Sequence, residues 1–128
     1  MSKKILIVDD LTLDIVFSRS VIDKCEAISE VDVACDGAEA LTQLIRKHYD
    51  LVLLDIKMPK VDGFELLQFL RDQKPDSVSL VFILSSSDTI AERERASALG
   101  AAEYVHKSIE FSEFRTNLRE ALGRHGFC

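Results

Sequence analysis

With 128 residues, 47% of them hydrophobic and 30% charged, the chain has the size and composition of one folded domain that needs no metal or disulfide to hold its core. Its 16 basic and 22 acidic residues leave a formal charge of −6, which argues against direct nucleic-acid binding or an anionic membrane, since both reward clustered positive charge. No apolar run approaches the roughly 20 residues of a membrane span, so no membrane insertion is expected.

Residues 5–8 form an apolar run without alternation, the pattern of a strand covered on both faces. Val16, Phe17, Val21 and Cys25 then recur at helical spacing. Residues 31–34 make a second strand, ended by Asp36-Gly37. Ala38, Leu41, Leu44 and Ile45 give the next helical stripe. Residues 51–54 are again continuously apolar. Pro59 and Asp62-Gly63 separate them from a helix carrying Phe64, Leu67 and Leu70. Residues 80–84 read as the fourth strand. Residues 89–99 read as a helix with a small, alanine-rich face, and Gly100 closes it. Residues 104–106 are the fifth and weakest strand, followed by a helix with Phe114, Leu118 and Leu122. Strand and helix alternate five times. The reading is a single α/β domain over 1–128, an open parallel sheet with helices on both faces and right-handed crossovers.

Open α/β sheets bind ligands beyond the carboxyl ends of their strands. Asp9 and Asp10 fall there after the first strand, Asp55 at the end of the third, Ser85, Ser86 and Ser87 after the fourth, and Lys107 after the fifth. Like charges about 4 Å apart repel by roughly 1–4 kcal/mol, so three carboxylates together call for a cation or a proton. Hard oxygen donors with no His or Cys beside them point to Mg²⁺, which keeps waters and shares a phosphate oxygen. Lys107 is a point charge suited to phosphate, and Ser85 can donate a hydrogen bond to it. Any one of these aspartates could simply cap a helix or form a turn. Together they read as a site for a phosphoryl group held with Mg²⁺. His48, His106 and His125 are scattered and lack ligand spacing.

The stretches ILIVDD, LVLLDIKMPKVDG, VFILSS and GAAEYVHK resemble the receiver domain of two-component response regulators, over residues 4–122. The DxxMPxxDG run starting at Asp55 is the most specific part. The resemblance implies the flavodoxin-like (βα)5 fold with strand order 2-1-3-4-5. It implies Asp55 as phosphoacceptor, and Asp9 and Asp10 as the acidic pair for Mg²⁺, with Asp10 the more direct ligand. Lys57 would lend a backbone carbonyl to the metal. Ser85 and Tyr104 would be the switch hydroxyl and switch aromatic, and Lys107 the partner of the phosphoryl oxygens. The implied donor is a phosphohistidine on a sensor histidine kinase or phosphotransfer protein. The readout would be a changed face of the fourth helix, fifth strand and fifth helix, offered to a downstream protein effector. The chain would not be an enzyme for outside substrates, since it would catalyse only its own aspartyl phosphorylation and dephosphorylation. Lys57 and Ser87 would flank the attacking water and tune the lifetime of the modified state.

A Mg²⁺-dependent phosphohydrolase is the rival reading, but no DxD motif follows the first strand and no substrate-capping insertion is present. A receiver module cut from a longer regulator stays open. A cytoplasmic location is expected, because MSKK runs directly into a strand with no signal peptide. Cys25, Cys35 and Cys128 are accordingly expected as free thiols. In one place the sequence departs from the family, which commonly follows the lysine with a cis proline. Here Ser108 follows Lys107. A cis bond before a non-proline residue costs about 2.5–4 kcal/mol, so a trans bond with rearrangement over 108–110 is expected.

Overall fold

The structure, a computed structural model, describes residues 2–58, 62–73 and 78–128. The elements are β1 (Lys3–Val8), α1 (Thr12–Ile22), β2 (Ile28–Ala34), α2 (Gly37–Arg46), β3 (Tyr49–Asp55), α3 (Gly63–Gln73), β4 (Val78–Ser85), α4 (Ile90–Ala98), β5 (Glu103–His106) and α5 (Phe111–Arg124). All strand pairs are parallel, and the order is β2-β1-β3-β4-β5.

The twofold period of the strands sorts the core. Leu6, Val8, Val52, Leu54 and Ile83 face one layer, with Ala40 and Leu44 of α2, Leu66, Leu67 and Leu70 of α3, and Ala96 of α4. Ile5, Ile7, Leu51, Leu53, Phe82 and Leu84 face the other, with Val21 and Ile22 of α1 and Phe114, Leu118 and Leu122 of α5. This double covering is why β1, β3 and β4 carry no polar alternation.

Helix ends follow the local chemistry. Asp36 accepts a hydrogen bond from the Glu39 N–H at 2.8 Å and caps α2. Thr89 caps α4 in the same way through the Glu92 N–H, at 3.2 Å. Gly100 takes φ +93° after α4, a conformation that suits glycine.

Two helical stripes hold in most of their members and lose one or two at the edge. Val21 and Cys25 are buried and Phe17 packs on the core as expected, but Val16 is 54% exposed, and Ser18 and Ile22 join the inner face of α1. Val16 lies two residues from both Asp14 and Ser18, about 200° around the helix, so it faces outward. Ala38 and Ile45 also point to solvent, while Ala40 and Leu44 carry the packing of α2. Apolar residues at the solvent side of a helix are common and widen the apparent stripe without changing its direction.

The free-thiol expectation is corrected for two of the three cysteines. Cys25 and Cys128 form a disulfide across 103 residues, whereas Cys35 is free and exposed. Gly126, at φ +78°, turns the chain after α5, and Phe127 inserts edge-on against Phe82 with ring centroids 6.4 Å apart. That buried anchor brings Cys128 beneath the end of α1. Nothing in the sequence spacing signals the pairing. Among the described residues, no helix is long and apolar enough to cross a membrane.

Candidate functional site

The strand register sets the site. Asp55 pairs with Leu84 and Ser85 with His106, so β3, β4 and β5 end nearly level. The ladder then runs one residue further. The Asp9 N–H donates to the Ala34 carbonyl at 3.0 Å, and the Lys107 N–H to the Ser85 carbonyl at 2.7 Å. Asp9, Asp55, Ser85 and Lys107 thereby start from fixed backbone rather than from free loops.

At Asp62-Gly63 the start of α3 lies directly against the end of β3. The Gly63 N–H donates to the Ile56 carbonyl at 2.7 Å, and Asp62 Oδ1 accepts from the Glu65 N–H at 2.9 Å. A Cβ at position 63 would lie 2.3 Å from the Asp55 carbonyl oxygen, so only glycine permits this approach. Pro59, read from sequence as a separator, lies outside the described residues.

Asp9, Asp10 and Asp55 each offer a carboxylate oxygen, and these oxygens lie within 4.8 Å of one another. Asp9 and Asp55 are buried, and Asp10 is exposed at the mouth. Lys107, with a side chain only 9% exposed, reaches Asp9 Oδ2 at 2.8 Å, Asp14 Oδ2 at 2.9 Å and Asp55 Oδ1 at 3.2 Å. Asp14 was absent from the sequence reading. Its position in the first turn of α1, on the face that carries Phe17 and Val21, was the available signal.

Burial pushes the Asp55 carboxyl up to about 6, against the pull of Lys107 and with Asp9 adding to the rise. Burial also raises Asp9, again opposed by Lys107. For Lys107, burial favours the neutral amine, but Asp55 and Asp9 outweigh it and hold the ammonium above its ordinary range. The pocket therefore holds more negative charge than its lysine satisfies. Two buried carboxylates driven toward protonation, with all-oxygen donors, fit a hard divalent cation.

The serine run divides its work. The buried Ser85 Oγ accepts the Ser87 N–H at 3.1 Å. Ser86 is exposed, and its carbonyl lies 3.2 Å from His106 Nε2. Ser87 Oγ donates to Glu92 at 2.8 Å. Tyr104 reaches across from β5 and donates to the Ser87 carbonyl at 2.8 Å, with the Arg93 guanidinium 4.8 Å from the centre of its ring. Tyr104 thus touches the loop that leaves Ser85. The Lys57 side chain is exposed. No peptide bond among the described residues is cis, so Lys107–Ser108 is trans as expected. Ser108 Oγ accepts the Glu110 N–H at 3.3 Å and shapes the turn into α5.

The family model for the response regulator receiver domain matches residues 5–119, and the chain belongs to that family. A probable transcriptional regulator, ycf27 of Cyanophora paradoxa, is 37% identical over 123 residues, covering 95% of this chain and 49% of the relative. The chain spans about half the length of the curated relatives it matches. Among solved structures, the phosphorylated cyanobacterial phytochrome response regulator RcpA is 26% identical with a TM-score of 0.86, over 95% of this chain and 92% of that one. The Mn²⁺-bound form of response regulator Rcp1 is 25% identical with a TM-score of 0.83, over 94% and 92% of the two chains.

Proposed function

We propose that Asp55 accepts a phosphoryl group from a phosphohistidine donor, on a sensor histidine kinase or phosphotransfer protein, and that residues 1–128 act as one receiver unit. The observation that carries this reading is the buried pocket in which Lys107 bridges Asp9 and Asp55 while Asp10 stays open to solvent. An Asp55 oxygen attacks phosphorus, the bond from phosphorus to the donor nitrogen breaks, and the imidazole leaves with the electron pair. Lys107 turns from the carboxylates to the transferred oxygens. Ser85, at the end of β4, donates its hydroxyl proton to them in a hydrogen bond. Mg²⁺ is the proposed resident ion, held by Asp9, Asp10, Asp55 and the Lys57 carbonyl, and it supplies charge neutralisation when bound. The similar response regulator Rcp1 has a Mn²⁺-bound form, which supports a divalent cation as a ligand here.

The proposed readout starts at Ser85. A shift of its loop pulls on Ser87, and Ser87 holds the Tyr104 hydroxyl. The surface of α4, β5 and α5 then changes for a protein effector. Water cleaving the acyl phosphate resets the domain, and Lys57 and Ser87 tune that step. The domain catalyses only its own modification, in the cytoplasm, without direct contact to nucleic acid. Acetyl phosphate with Mg²⁺ should add one phosphoryl group by intact mass, lost on chelation and in Asp55→Asn. Equal labelling of that variant, or none in the wild type, refutes the assignment.

A further inference from the structure

We propose that Asp14 is a positioning residue for Lys107: it holds the ammonium on the α1 side of the pocket and limits how much of that charge reaches a phosphoryl group on Asp55. The inference rests on the reading of Asp55 as phosphoacceptor.

An ammonium has three protons, and here three carboxylates claim them. The shortest contacts are to Asp9 at 2.8 Å and Asp14 at 2.9 Å, and the longest, 3.2 Å, is to Asp55. Asp9 and Asp55 belong to the group of oxygens that can share a cation, and Asp14 lies outside it. When a divalent cation takes up the negative charge of Asp9 and Asp55, Asp14 remains as the lysine's own counterion.

The position of Asp14 is fixed by packing. Phe17 of α1 stacks against Phe111 at the start of α5, with centroids 4.3 Å apart. That contact sets the first turn of α1 opposite the turn that carries Lys107. A carboxylate in the first turn also suits the helix dipole. Asp14 is 26% exposed, so its pull on the lysine is only partly screened.

Two consequences follow for the chemistry. Asp14 adds a fourth negative charge to Asp9, Asp10 and Asp55, and an anionic phosphodonor must approach all four. It also draws Lys107 away from Asp55, where the new oxygens will form. Both effects slow phosphorylation. In the cation-free pocket the same pull weakens the lysine's competition for Asp9 and Asp55, which favours cation binding.

The test is a double-mutant cycle on the whole chain, with Asp14→Asn, Lys107→Ala, the pair together, and Asp14→Glu as the conservative control. Single-turnover labelling by acetyl phosphate at saturating Mg²⁺ should run roughly three- to tenfold faster in Asp14→Asn, mainly through a higher maximal rate, because the freed ammonium reaches the transferred oxygens, with only a minor fall in half-saturating donor concentration. Asp14→Glu should return the wild-type rate, and Asp14→Asn should lose most of its effect in the Lys107→Ala background. Calorimetric Mg²⁺ titration gives a readout independent of phosphorylation. Asp14→Asn should weaken binding more when Lys107 is present than when it is absent. Unchanged labelling and Mg²⁺ affinity in Asp14→Asn, or equal effects with and without Lys107, overturns the proposal. A wild type that labels elsewhere than Asp55 instead fails the phosphoacceptor reading, and the titration then still decides whether Asp14 acts through Lys107.

Discussion

Lys107 and Lys47 both sit among carboxylates and both stay charged, yet their carboxylate partners end in opposite electrostatic states. Lys107, at the carboxyl rim of the sheet, is buried and contacts Asp9, Asp14 and Asp55. Lys47, between α2 and β3, is more than a third exposed and pairs with Glu30 and Asp32 of β2. Tyr49 completes the second cluster, with its hydroxyl donating to Asp32 Oδ2 at 2.6 Å. Hydrogen bonds from Lys47 and Tyr49 hold the Asp32 carboxyl below its ordinary value, whereas burial lifts Asp55 to about 6. Similar residue types therefore give a satisfied structural tie in one place and an unsatisfied pocket in the other. Water makes the difference: near solvent each charge keeps part of its hydration, and in the rim it does not.

The largest expected contrast comes from deleting each lysine. Lys107→Ala without Mg²⁺ at pH 8 should lower unfolding stability by about 3–5 kcal/mol, because it strands buried carboxylates. Lys47→Ala should change it little, since its partners are hydrated. Urea unfolding of both variants measures this, and equal losses would break the comparison.

The pH dependence of the metal-free protein should carry the same signature. Asp55 holds its proton more tightly when folded than when unfolded, so stability falls as pH rises from about 4 to 6. At about 1.4 kcal/mol for each unit of displacement, the loss is on the order of 3 kcal/mol. Burial of Asp9 acts in the same direction. Asp32 works oppositely: its depressed value adds stability above the unfolded carboxylate range, which is lost as pH falls below it. Asp55→Asn should flatten the fall between pH 4 and 6 in urea titrations, and an unchanged slope would show that Asp55 is not the strained group.

Mg²⁺ should sharpen the contrast further. At a hundredfold excess over its dissociation constant, it should stabilise the wild type by about 2.7 kcal/mol. Asp10→Asn should lose most of that gain, and Lys47→Ala should keep it. Thermal melts with Mg²⁺ or chelator test this. The smallest effect should be a salt dependence of Asp32→Asn, whose modest penalty fades in high salt while that of Lys107→Ala persists.

Much of this contrast was visible in the sequence, on one side only. The non-alternating runs of β1, β3 and β4 revealed a doubly covered sheet, and strand ends then placed Asp9, Asp55 and Lys107 together. The second cluster leaves no mark in the sequence, because Lys47, Glu30 and Asp32 form no motif and meet only through the folding of α2 onto β2. Asp14 lies on the α1 face of Phe17, Val21 and Cys25, so its side was legible, whereas the reach of Lys107 to it was not. The Cys25–Cys128 pairing depended on how Phe127 anchors the chain after α5. Contacts made across about a hundred residues by side-chain reach leave no local period to read. The link between Tyr104 and Ser87 is hidden for the same reason, since strand pattern gives the position of an aromatic and not the target of its hydroxyl.

The central claim is that the unsatisfied carboxylate is the one that reacts. Treating the acetyl phosphate-labelled protein with borohydride reduces an acyl phosphate to an alcohol, which marks its position permanently for peptide sequencing by mass spectrometry. The account predicts homoserine in place of the aspartyl residue at position 55 alone, formed only when Mg²⁺ was present during labelling. Homoserine at Asp9, Asp10 or Asp32, or an unmodified Asp55 in protein that carries a phosphoryl group, would contradict it.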